Sequence, residues 1–142
     1  MGDWTVDDMY ALGTRHAELE AKRDLVGTLA TLAPNPLYEF HPMRRRIRRM
    51  QGLEPVRRYY EHLFDSFIPS TRSYRLVQEW VNESSVAQEY DIEVEVAGVV
   101  ELHRVIGVLV AAGELLGGER VYASERCARL MLGGLFDELE PF

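Results

Sequence analysis

The residues with chemical potential are few and scattered. The chain has four histidines, His16, His41, His62 and His103, and one cysteine, Cys127. His41 ends the run Leu37-Tyr38-Glu39-Phe40-His41, a short strand candidate with aromatics at alternate positions. A histidine titrates near neutrality and can accept or return a proton there; the plainer reading is a half-buried strand histidine bonded to backbone. Glu89 and Asp91 lie two apart, so both point to one face of a strand. In a dry pocket such a pair splits its pKa values into an acid and a base. Glu93 and Glu95 share that parity, which leaves a solvated acidic face equally open, and a bulge would reverse the assignment. His103, between Glu101 and Arg104, is either a polar strand start or a ligand-facing group. Tyr38, Tyr59, Trp80, Tyr90 and Tyr122 can offer rings or polar hydrogens to a ligand, or simply fill a core. His16 falls on the apolar stripe of a helix and reads as core packing. No His-x-His or His-x3-His spacing occurs, so no metal site is argued. Gly117-Gly118 lacks the residues and spacing of a phosphate loop.

Arginines 44, 45, 46, 48, 49, 57 and 58 put seven of the chain's 16 basic residues within 15 positions. They form either an anion site or a solvated loop or edge strand whose charges discourage edge pairing. Nucleic-acid binding would need interleaved aromatics and a basic domain; this chain carries a net charge of −7.

The elements that must position these groups fall in a clear order. Thr5 with Asp7 and Asp8 marks a helix start, and Met9, Leu12, His16, Leu19 and Val26 recur as one stripe. Residues 28–32 read as a short second helix, ended by Pro34-Asn35-Pro36. A third helix opens near Pro55, buries Val56, Tyr60, Leu63, Phe64 and Phe67, and stops at Pro69. The period then changes to two, with strands over 74–81, 86–96, 101–110 and 115–124. In the second of these, Val86, Tyr90, Ile92, Val94 and Val96 share one face. The third is apolar on both faces after His103 and should lie centrally. A short helix, broken at Gly133-Gly134, ends the chain. Helices first and a strand meander second make an α+β fold, with an antiparallel sheet wrapped over the early helices.

One domain is expected from 142 residues, and a 46% hydrophobic content is enough for a core. A lone cysteine excludes an intrachain disulfide framework and agrees with a reducing compartment. No membrane-length apolar run and no basic, apolar leader is seen, so the expectation is a cytoplasmic protein with no membrane partner.

Three segments carry a family resemblance: Arg23-Asp24-Leu25-Val26-Gly27-Thr28-Leu29, Tyr38-Glu39-Phe40-His41-Pro42, and Gly52-Leu53-Glu54-Pro55-Val56-Arg57-Arg58-Tyr59-Tyr60. With Val86-Ala87-Gln88-Glu89-Tyr90 and Gly118-Glu119-Arg120-Val121-Tyr122, they resemble the SnoaL-like branch of the nuclear-transport-factor-2-like superfamily. The resemblance spans nearly the whole chain and implies a cone: a strongly curved antiparallel sheet and helices around an apolar pocket. It also implies a homodimer through the outer sheet face, and no organic cofactor.

The resemblance does not carry one reaction, because this cone hosts many. Ketosteroid isomerases place an Asp base before a proline on the first strand, where His41 precedes Pro42 here. Their oxyanion partners on the first helix and a late strand fall at His16 or Ala17 and at Val105-Ile106. The limonene epoxide hydrolase pattern keeps Asp91 in Glu89-Tyr90-Asp91 without its arginine, and its second acid falls near Arg120 or Val121. Polyketide cyclases carry an Asp where Tyr122-Ala123-Ser124 has a serine, with Glu125 next. The leading expectation is an isomerase- or cyclase-like acid–base catalyst on a small hydrophobic, carbonyl-bearing molecule. His41 would transfer the proton, Asp91 or Glu89 would partner it, and Tyr122 or Tyr38 would donate hydrogen bonds. The alternative is a non-catalytic hydrophobic-ligand binder or dimeric scaffold of the same fold. On the catalytic reading, His41→Ala abolishes turnover and leaves folding intact, and a fully active variant would exclude it.

Overall fold

The computed structural model describes residues 2–141. Helix α1 (Val6–Ala21) starts with a capping box in which the Thr5 hydroxyl accepts from Asp8 N and the Asp8 carboxylate accepts from Thr5 N. The chain turns at Arg23, whose φ is 55°, and the Asp24 side chain caps α2 (Leu25–Ala30). That break resets the helical phase, so Val26 leaves the expected stripe and is 78% exposed.

Strand β1 (Leu32–Pro42) begins five residues before the expected strand and runs through Pro34 and Pro36. It tolerates them because its register with β6 (Leu115–Ala123) shifts between Leu32 and Leu37, where no ladder donor is needed. The second half of the arginine run forms β2 (Arg48–Gln51), a sheet edge paired antiparallel to β1. Helix α3 (Leu53–His62) passes into a π-helical turn (Leu63–Phe67) and a last turn α4 (Ile68–Ser70). Strands β3 (Thr71–Val81), β4 (Ser85–Val96), β5 (Val99–Ala112) and β6 form an antiparallel meander. Helices α5 (Glu125–Leu132) and α6 (Leu135–Glu138) end the described chain.

The six strands lie in the order β2-β1-β6-β5-β4-β3, a curved open sheet. One neighbour pair departs from the antiparallel expectation: the meander closes onto β1 with β6 running parallel to it. β5 lies inside the sheet as expected, with Val105 and Leu109 buried on the concave face and Ile106, Val108 and Val110 half-buried on the convex one. The core fills the space between the concave face and the helices, led by Tyr38, Phe40, Tyr60, Leu116, Leu132 and Phe136. No helix among the described residues is long and apolar enough to cross a membrane.

The β1–β6 junction sets the register of the last strand. Gly118 has φ 153°, and a Cβ built there would lie 1.8 Å from the Leu37 carbonyl oxygen. Gly118→Ala must therefore push two backbones apart, at a cost of roughly 2–4 kcal/mol. Urea denaturation should show that loss; a variant as stable as the parent would mean that the close approach is absent.

Candidate functional site

A cavity of about 410 Å³ lies between the concave face, α1 and the α3–π-turn segment. Its walls are mostly apolar: Leu63, Phe67, Ile68, Val86, Ile92, Leu109 and Met131, with the rings of Tyr59, Tyr74 and Tyr90. Its polar groups are His16 and Glu20 from α1, Thr71 from β3, Gln88 from β4 and Glu119 from β6. Among the described residues, no lysine or arginine lines it.

His16 and Glu20 are one helical turn apart, which brings His16 Nε2 to 2.6 Å from Glu20 Oε1. The hydrogens of this cluster can be assigned from its bonds. The Thr31 hydroxyl donates to the Thr28 carbonyl at 2.6 Å, so it accepts from His16 Nδ1 at 2.7 Å. Tyr60 donates to Glu20 Oε1 at 2.9 Å, so the Tyr38 hydroxyl, 2.7 Å away, donates to Tyr60. His16 Nδ1 thus carries the hydrogen of its bond to Thr31, and its Nε2 faces both Glu20 Oε1 and the Tyr60 hydroxyl, the latter at 2.9 Å. Burial raises the Tyr38 and Tyr60 hydroxyls well above the ordinary phenol value, which keeps this chain neutral.

Glu119 shares its strand face with Val121 and Ala123, both buried, so its carboxyl points inward. Gly107 leaves it room: a Cβ there would lie 3.1 Å from Glu119 Oε1. Burial, and then the neighbouring Glu20, push the Glu119 pKa well above the ordinary carboxylate value. Glu119 is nevertheless half-buried by surface, because its carboxyl meets the cavity. Burial likewise raises Tyr59 and Tyr90. The ligand atoms of His16, Glu20 and Glu119 all lie within 4.8 Å of one another, a spacing that could hold a metal ion. The site therefore joins a carboxyl that holds its proton more tightly than an ordinary one to a carboxyl–imidazole couple in an apolar chamber, an arrangement suited to moving protons.

The residues expected from sequence are divided by strand parity. Tyr59 and Tyr90 line the cavity. Tyr38 is fully buried behind it, bonded to Tyr60. His41 does not reach the cavity: β1 turns Tyr38 and Phe40 inward, so His41 faces outward, 3.3 Å from Glu39 and stacked on Tyr122 at 4.4 Å. Asp91 and Glu89 are on the convex face because Gln88, Tyr90 and Ile92 take the concave one. Asp91 there accepts hydrogen bonds from Arg104 and Arg75, which hold its carboxyl well below the ordinary range. Glu89 pairs with Arg104 at 2.8 Å. Trp80 and Tyr122 are convex and partly exposed, 45% and 38%. His103 contacts Glu101 at 3.0 Å, away from the cavity; the Arg126 hydrogen bonds lower Glu101 to about 2. The expected catalytic set is thus an ion-paired outer surface, and the chamber's own set is His16, Glu20 and Glu119. Glu119 had one usable signal, its shared parity with Val121 and Ala123.

The fold is that of nuclear-transport-factor-2-like and ketosteroid isomerase-like proteins. A nuclear-transport-factor-2-like protein from Anabaena variabilis matches with a TM-score of 0.68 at 19% identity, over 88% of this chain and 95% of that one. One from Mesorhizobium loti, of unknown function, matches at 0.70 and 11% identity, over 87% and 96%. A protein of ketosteroid isomerase-like fold from Catenulispora acidiphila matches at 0.64 and 14%, over 86% and 92%. No family model matches the sequence, and no curated protein matches it.

Glu119 makes stability depend on pH in a defined direction. Above the ordinary carboxylate value of 4.5, the unfolded chain gives up this proton while the folded chain keeps it. Its contribution to stability is therefore complete below that value and falls as pH rises toward the folded pKa. Glu119→Gln should be more stable, relative to the parent, at pH ~8 than at pH ~5. Urea denaturation at both pH values checks this; an unchanged difference would mean a solvated carboxyl.

Proposed function

We propose that this protein is a small-molecule pocket protein of the SnoaL-like type that performs acid–base chemistry on an apolar, carbonyl-bearing substrate. The supporting observation is the carboxyl pair Glu20 and Glu119 with His16 in a chamber otherwise walled by apolar and aromatic side chains. Glu119, kept neutral, donates a hydrogen bond to the substrate carbonyl oxygen, where negative charge develops as an adjacent C–H proton leaves. The Glu20 carboxylate takes up that proton on Oε2, since its Oε1 is the oxygen that His16 Nε2 and the Tyr60 hydroxyl engage. The enol then regains a proton at the same or another carbon, which gives exchange or isomerisation with no net change in protons. Tyr60 and Thr31 hold the couple in place by bonding to Glu20 Oε1 and His16 Nδ1. Tyr59 and Tyr90 are proposed to contact the substrate.

The same reading includes a cytoplasmic homodimer through the convex face. There Trp80 and Tyr122 stay partly exposed beside half-buried Ile106, Val108 and Val110, an apolar surface that a second copy would cover. The buried Cys127 thiol, pushed up to about 12 by desolvation, is an inert core group in this scheme.

The test is proton exchange. Cyclic and polycyclic ketones are incubated with the protein in D2O, and loss of the C–H signal beside the carbonyl is followed by NMR. Glu20→Gln and Glu119→Gln should each slow the exchange by about 10²-fold or more, whereas His41→Ala should retain it. Loss of exchange in His41→Ala alone would return the reaction to the outer strand. Absence of exchange by the parent protein would favour the non-catalytic, ligand-binding alternative.

A further inference from the structure

The cavity places two carboxyl groups among aromatic rings and supplies no lysine or arginine to neutralise them, among the described residues. His16 is committed to Glu20 and Thr31, so Glu119 is the acid left without a protein counter-charge. No hydrogen bond ties the Glu119 carboxyl to another described residue, and its surface opens on the cavity. From the neighbouring elements, the titratable groups around the cavity are His16 and Glu20 on α1, Tyr38 on β1, Tyr59 and Tyr60 on α3, Tyr74 on β3 and Tyr90 on β4. None of the tyrosines can supply a positive charge. An isolated carboxylate in such surroundings is costly, and the protein avoids that cost by keeping the proton. A bound cation would remove the cost in another way.

We propose that the cavity is also a binding site for apolar organic cations, amines or quaternary ammonium compounds, whose charge pairs with the Glu119 carboxylate among the rings of Tyr59, Tyr74 and Tyr90. Aromatic walls attract such cations through the negative faces of their rings and accommodate the attached alkyl or aryl groups. A metal ion held by His16, Glu20 and Glu119 would have to displace the short His16 Nε2–Glu20 contact, whereas an organic cation leaves it intact. The binding is linked to protons: where Glu119 is protonated in the free protein, its proton leaves to the solvent as the cation enters. The proposal uses the chamber of the proton-transfer reading but the opposite state of Glu119, so an organic cation excludes the carbonyl substrate and removes its hydrogen-bond donor.

The probes are phenyltrimethylammonium and tert-butylbenzene, which share a shape and differ in charge. Calorimetry in two buffers of different ionisation heat counts the protons released. The cation should bind at least about tenfold tighter than the hydrocarbon at pH ~8 and weaken toward acid, by up to about tenfold per pH unit, with release of up to one proton as Glu119 becomes protonated in the free protein. Glu119→Gln should abolish the proton release and weaken the cation by about tenfold or more. The same variant should keep its affinity for tert-butylbenzene, which shows that the cavity is intact. Equal affinity for the two probes, no binding of the cation, or cation binding that survives Glu119→Gln with its proton release would overturn the proposal. Ketone exchange is measured without a cation, so either reading can fail while the other stands.

Discussion

A single buried hydrogen-bonded cluster joins the parts of this protein that must stay in register. His16 from α1 bonds to Thr31, at the junction of α2 and β1, and to Glu20 on its own helix. Glu20 accepts from Tyr60 of α3, and Tyr60 accepts from Tyr38 of β1. Two helices and the strand that receives β6 are thereby tied at one point on the concave side. Each buried polar group there would cost on the order of 1–3 kcal/mol if left unpaired, so the members sustain one another. The same cluster forms one wall of the chamber. The turn of α1 that anchors the helix, with His16 and Glu20, is therefore also part of the cavity lining.

The sheet divides the charged residues into two populations with opposite surroundings. On the convex face, Asp91 and Glu89 meet Arg104 and Arg75, and each carboxylate is satisfied as an anion. On the concave face, Glu119 meets Glu20 and apolar walls, and burial favours its neutral form. Acids on two strands of one sheet, β4 and β6, thus have their pKa values moved in opposite directions because the two faces give different surroundings. The paired carboxylates of β4 lie on the convex face, where arginines meet them and Asp91 is itself buried. The acid in the chamber comes from another strand.

How far the sequence could be read follows from the range of each interaction. The Thr5 cap, the apolar face of α3, the shift to period two and the central place of β5 are local or periodic signals, and the structure contains them all. The β1 prolines misled because a terminator of helices was also compatible with a strand whose register slips at that point. His16 read as a core residue, and its 1% exposure agrees, yet two of its partners, Thr31 and Tyr60, lie 15 and 44 positions away. Glu119 follows Gly117-Gly118, which breaks the alternation just where the parity of the strand had to be established.

The sequence by itself determined the class of architecture, the order of helices and strands, and which residues of β4 share a face. Those properties arise from dihedral preference and side-chain period, which act over a few neighbouring residues. The tertiary structure alone decided which face of each strand closes the chamber, that β6 enters parallel to β1, and that His16, Glu20 and Glu119 meet. Those outcomes depend on the curvature of the sheet and on contacts across most of the chain. A side chain's local period says that it points to one side, and only the packed fold says whether that side is water or a cavity.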